Sequence, residues 1–257
     1  MLSRHGALLF AAMAAAACAP DRFRWEATEP PALAAYRSSF VVAAGTTFDR
    51  SWSRAELGQA LQGARVLWLG DHHRSSRLHG MQSEVLASLQ AAGAPLLLAL
   101  EAVGEQDAAA VQAFLAGALE LPELRRQLRL RWPGSWLDDD ELDPWHYQQL
   151  LQFARRHTIP VVAFEPTPRL PLAVRDAYIA ARLGELAARH PDRLLVVHIG
   201  QAHLLGDGDL IARTGLPSIA LGGEPPDLLR RAAPPQRGRG RLHRSTGGLW
   251  WFDELLP

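Results

Sequence analysis

The sequence predicts a single α/β domain built on a mostly parallel sheet with helices on both faces. Three observations predict it. Short apolar runs alternate with helical patterns along the chain, the rhythm of strand, helix, strand units. The runs are continuous rather than alternating, as strands buried on both faces should be. Several of them stop on an acid or on a glycine turn leading to histidine, and open parallel sheets bind ligands just beyond the carboxyl ends of their strands.

The elements follow in order. Arg65 to Leu69 reads as a buried strand ending at Gly70, and His79 to Ala92 as a helix with Met81, Val85 and Leu89 on one face. Pro95 to Leu100 is a second strand, and Gln106 to Leu115 and Glu123 to Leu130 are helices. Asp143-Pro144 offers a cap and a first-turn proline for another helix, with Leu150, Leu151 and Ala154 as its apolar face. Pro160 to Phe164 is a third strand, Pro171 to His190 a helix, Leu194 to Ile199 a fourth strand and Pro217 to Leu221 a fifth. Pro225 to Gly248, rich in Pro, Arg and Gly, is expected to be a surface loop, before Leu249 to Phe252 docks back as an apolar, strand-like run.

Composition narrows the function classes. Of 257 residues, 48% are hydrophobic, enough for a large core, and 27 basic residues balance 27 acidic ones. No overall field therefore recruits nucleic acid. Every basic residue is Arg, and the chain has neither Lys nor Asn, a bias that fits GC-rich coding.

The N-terminus reads as an export segment, residues 1–18. Arg4 precedes the small and apolar run Ala7 to Ala17, which stops at Cys18, the pattern of a secretory signal. The run is too short to span a bilayer, which needs about 20 apolar residues. Cys18 is the only cysteine, so no internal disulfide is available. Its place after Ala15-Ala16-Ala17 resembles a lipobox, implying a lipidated Cys18 that anchors the protein to a membrane surface. Residues 19–35 are expected to be a tether and 36–257 the folded domain, with the motif-bearing core at 64–222.

The strand ends collect the candidate site. The first delivers Asp71, His72 and His73, the second Glu101, the third Glu165, and the fourth the turn Gly200-Gln201-Ala202-His203. The glycines are expected to let the backbone turn and carry each His over the sheet edge. His79 and Gln82 share a helix face that points back at this edge. Tyr147 is a further neighbour, since a phenolate can bind ferric iron. By ligand type, His73, Glu101, Glu165 and His203 would also suit a divalent metal. His157, His190, His198 and His243 are set aside as structural or surface residues.

Gly70-Asp-His-His73, Leu78-His79-Gly-Met-Gln82, Glu101, Trp145 to Leu151 and Gly200-Gln-Ala-His203-Leu-Leu-Gly206 together resemble the ChaN-like haem-binding uptake lipoproteins. Their superfamily also holds the Tiki/TraB and erythromycin-esterase-like proteins. Asp71 stands where the family usually shows Glu, and Glu165-Pro166 where an Asn is more usual. The resemblance implies haem held near Asp71, His73, His79, Glu101, Tyr147 and His203, a tyrosine on the iron, and a homodimer. It implies a cell-envelope protein of haem or iron uptake, lipid-anchored on the outer membrane and facing the periplasm. On this reading a Soret band should form with haemin and be lost in Tyr147→Phe. The alternative is a hydrolase of the wider superfamily, in which His73 or His203, oriented by Glu101 or Glu165, activates water with or without metal. A third reading is a surface protein that holds another protein through its Arg-rich loop and helices.

Overall fold

A computed structural model describes residues 31–131 and 135–257. The expected export segment, Cys18 and most of the tether lie outside the described residues. The chain opens with helix α1 (Pro31–Ala44), already within the stretch expected to be tether, followed by strand β1 (Phe48–Ser53) and helix α2 (Arg54–Leu61). Ser53 caps α2 in a capping box with Glu56, satisfying amides that the first helical turn leaves open. Then come β2 (Val66–Asp71), α3 (Ser76–Ala91), β3 (Leu96–Gly104), α4 (Ala108–Leu115), α5 (Leu121–Arg131), α6 (Pro144–Arg156) and β4 (Val161–Glu165). The chain closes with α7 (Leu172–Arg189), β5 (Leu194–Gly200), α8 (Leu210–Thr214), β6 (Ser218–Leu221), α9 (Asp227–Arg230), β7 (Arg241–Ser245) and β8 (Trp250–Phe252).

All the strands join one sheet in the order β1-β7-β8-β6-β2-β5-β3-β4. From β8 to β4 every pairing is parallel, while β7 pairs antiparallel with both β1 and β8. The α/β fold with a mostly parallel sheet is therefore as the sequence predicts. The expected loop between Pro225 and Gly248 is partly a strand: β7 pairs on both sides, and its polar pattern Arg-Leu-His-Arg-Ser hid it.

Alternate residues of each central strand feed two cores. Leu67, Leu69, Leu98, Leu100 and Val196 pack with side chains of α2 to α6. Val66, Trp68, Leu97, Ala99 and Val197 pack against α1, α7, α8 and α9. The parity continues beyond the apolar residues at Asp71, His198 and Glu101. Asp71 and His198 fall on the side of Leu69 and Val196, towards α3 and α6. Glu101 falls on the side of Leu97 and Ala99, towards α7.

The site glycines do different work from the sharp turning expected of them. Gly70 lies inside β2, and a Cβ there would stand 2.9 Å from the carbonyl oxygen of Leu221 on β6. Glycine is needed for strand approach, not for turning. Gly200 ends β5, and its N–H donates to Glu101 Oε2 at 2.7 Å.

Candidate functional site

The first cluster is built on Asp71, the last residue of β2, which is buried. Oδ2 of its carboxylate receives the Tyr147 hydroxyl at 2.7 Å and lies 2.7 Å from His73 Nδ1. Oδ1 meets His79 Nε2 at 2.8 Å. The other nitrogen of His79 meets Asp143 Oδ2, also at 2.8 Å, so this imidazole is held between two carboxylates. Burial alone would raise the pKa of Asp71, but the neighbouring His198 and His73 and the hydrogen bonds from His73 and His79 hold it well below the usual range. Against the opposing cost of burial, the same pairings raise the pKa of His73 and of His79. Burial, with the nearby charge of Asp71, pushes the Tyr147 phenol up, so its ionised form is disfavoured.

Behind Asp71 lies an imidazole stack. The His146 ring is 3.8 Å from that of His79 and 3° from parallel, and its Nε2 is 3.0 Å from Nε2 of His198. Burial lowers the pKa of His146 to about 2 and that of His198 to about 4, so these two rings are neutral, while the pKa of the neighbouring His79 is shifted the other way. The three rings bring nitrogens within 4.8 Å of one another, a spacing that could admit a metal. The parallel rings of His79 and His146, however, point their lone pairs side by side rather than at one centre, and both nitrogens of His79 are already taken. As placed, the stack is hydrogen-bonded packing.

The second cluster lies on the α7 side. Strand β3 breaks register after Leu100, so Glu101 stands inside β3 rather than at its end, where the sequence put it. Arg175, in the first turn of α7, is buried among the candidate ligands. Its Nε donates to Glu165 Oε2 at 2.9 Å, one terminal nitrogen donates to Glu101, and the other lies 3.3 Å from His203 Nε2. His203 Nδ1 meets the buried Asp176 at 2.7 Å. Burial works against ionised Glu101, yet Arg175, His203 and His73 bring its pKa down to about 2. Burial and the charge of Glu101 raise that of Glu165. Three of the four residues expected to share a metal thus surround a guanidinium instead.

The clusters meet at Gly200. A Cβ built there would be 3.5 Å from Glu101 Oε2, 3.5 Å from His203 Cδ2 and 3.7 Å from His73 Cε1. His73 reaches the surface: its side chain is 31% exposed, whereas those of Asp71, His79, Glu101 and His203 are at most 7% exposed. Its ring packs against Trp136 at 4.3 Å. With Nδ1 on Asp71, Nε2 is the nitrogen left to a ligand. The structure therefore brings Asp71, His73, His79 and Tyr147 together on one side, and Glu101, Glu165 and His203 on the other. Sequence reasoning missed Arg175, Asp176, Asp143, His146 and His198. His198 carried a signal, as the one polar residue within an otherwise apolar buried strand.

The fold resembles several solved proteins. HopBA1, a type III effector, is 18% identical, with 77% of this chain and 90% of that one covered at a TM-score of 0.49. ChaN of Campylobacter jejuni, described with cofacial heme binding, is 13% identical, with 68% and 88% covered at 0.49. RRSP, a MARTX toxin effector domain from Vibrio vulnificus, is 16% identical, with 87% and 42% covered at 0.42. No curated protein sequence matches the chain. Residues 57–171, which hold Asp71, His73, His79, Glu101, Tyr147 and Glu165, match the family described as haem-binding uptake, Tiki superfamily, ChaN.

Proposed function

We propose that the protein binds haem at the carboxyl edge of its sheet, with His73 as the iron ligand. The observation that carries this is the state of His73: partly exposed, fixed at Nδ1 by Asp71, with Nε2 left to a ligand. The family match over residues 57–171 supports haem as that ligand. The surroundings fit an apolar macrocycle with acidic arms. Trp136 lies beside His73, and an exposed Trp145 follows Asp143, whose amide donates to the His73 carbonyl. Arg74, on the same loop, is exposed enough to meet a propionate. Bound haem would supply a redox-active iron, and the chain's own part is to hold and orient the ring that meets it. Tyr147, the other candidate, is buried with its hydroxyl on Asp71 and its phenolate disfavoured.

Haemin titration tests the reading. Wild type should give a Soret band of one-to-one stoichiometry per His73 site, and His73→Ala should lose it; no spectral shift in wild type would overturn haem binding. From the N-terminal residues and the resemblance we further infer a lipoprotein of the bacterial envelope, on the outer membrane and facing the periplasm, that serves haem or iron uptake. Incorporation of labelled palmitate that disappears in Cys18→Ser would support it. A homodimer closing over haem is part of the same reading, and its test is the mass in solution with and without haemin. Hydrolysis by His203 has one observation in its favour, the Asp176 carboxylate that orients its ring. Its Nε2 already faces Arg175, which leaves that version less support.

A further inference from the structure

Outside the strand-end site, the antiparallel margin of the sheet carries a second ordered set of polar groups. Ser51 on β1 and His243 on β7 are directly opposite in the ladder. Ser51 Oγ is 2.8 Å from His243 Nδ1, and His243 Nε2 is 2.7 Å from Asp253 Oδ1. Asp253 is itself held, by Arg237 at 3.3 Å and by the amide of Gly238 at 3.2 Å. His243 is wholly buried, whereas Ser51 is partly exposed. A register shift between Phe48 and Arg50 brings the Phe48 ring to 5.7 Å from that of His243. Bulges of this kind re-aim side chains on edge strands.

A hydroxyl within hydrogen-bond reach of an imidazole, which a carboxylate orients in turn, is the arrangement that activates a serine. Here the carboxylate fixes the proton on Nε2, so Nδ1 is the lone pair that faces the hydroxyl. We propose that Ser51, His243 and Asp253 form a catalytic triad in which Ser51 is an activated nucleophile towards small carboxylic esters. In acylation the Ser51 Oγ–acyl carbon bond forms and the bond between the acyl carbon and the ester's alkoxy oxygen breaks. The Oγ proton passes to His243 Nδ1 and then to the departing alcohol oxygen. Water, delivered through the same imidazole, then releases the acid and restores the serine. Burial lowers the pKa of His243 against the pull of Asp253, which keeps the ring in the basic form.

The experiment treats the full chain with a fluorophosphonate, whose phosphorus takes the Ser51 oxygen as fluoride leaves, and locates the adduct by peptide mass mapping. Ser51 should be labelled about 10²-fold faster in the folded protein than in the protein unfolded by urea, the gain expected of a positioned general base. Asp253→Asn should slow the labelling, and Ser51→Ala should remove it together with any hydrolysis of p-nitrophenyl acetate. Equal labelling of Ser51 in folded and unfolded protein would overturn the proposal. Ester hydrolysis that survives Ser51→Ala unchanged would do the same. Neither result touches haem binding at His73.

Discussion

Arg175 donates to Glu165 at 2.9 Å from a position where it is almost wholly buried. The same guanidinium also reaches Glu101 and His203, so one fixed cation serves the groups that a divalent metal would otherwise have served. Removing one partner of a buried ion pair typically costs about 3–5 kcal/mol, because the remaining charge is left uncompensated. Arg175→Met should lower stability by an amount of this order in urea unfolding. If the variant still folds, it should gain affinity for Zn²⁺ that wild type lacks at these residues, read by calorimetry. A stable variant indifferent to metal would contradict the role given to this arginine.

Tyr147 and His73 both approach Asp71, but with different consequences. Tyr147→Phe deletes a hydroxyl that satisfies a buried carboxylate, and should cost about 1–3 kcal/mol. It should leave the Soret band in place, because the phenol faces inward. Loss of the band in this variant, with the band kept in His73→Ala, would reverse the ligand assignment.

Haem affinity should depend on pH through His73. Its pKa is raised by Asp71 and Glu101 against the cost of burial, and the protonated ring has no lone pair for iron. Affinity should therefore be high above that raised pKa and fall as the pH drops through it. Asp71→Asn removes the largest opposing cause and should move the fall to lower pH. Titrating haemin at a series of pH values gives both curves; coincident curves would count against His73 as ligand.

The neutral imidazoles make the fold sensitive to acid. His198 and His146 have pKa values depressed to about 4 and about 2, below the ordinary value of about 6.5. The unfolded chain takes up these protons first, so their contribution is complete above about pH 6.5 and declines as the pH falls towards 4. Each group adds a slope of up to about 1.4 kcal/mol per pH unit. His73 and His79 are raised instead, so their contribution is already complete below about 6.5 and does not disguise the effect. Urea midpoints measured from pH 7 to 4 should fall less steeply in His198→Gln than in wild type.

Much of this was legible in the chain. The five central strands announced themselves because strands buried on both faces read as continuous apolar runs, and they led to Asp71, His73, Glu101, Glu165 and His203. The sheet margin was hidden. Strand β1, at the edge, and β7 beside it are short and polar, as strands near an edge tend to be, and the two lie almost 200 residues apart in the chain (Phe48 against Ser245). Helix α1 did carry a signal, with the buried Tyr36, Phe40 and Ala44 at a spacing of four, masked by the Pro-rich approach. The larger omission was Arg175. Strand ends direct attention to the loop that follows, whereas this residue enters from the first turn of the next helix. Glu101 and Glu165 share this partner although their positions on β3 and β4 alternate towards opposite cores, so the strand pattern alone did not pair them.

The opposite parities of Asp71 and Glu101 have an architectural meaning. One half of the site hangs from the layer of α3 and α6, the other from α7, and the halves touch around Gly200. A change in one helical layer can thus retune its own half while the other keeps its shape. The sheet acts as a partition wall with a single window, and His73 stands in the window.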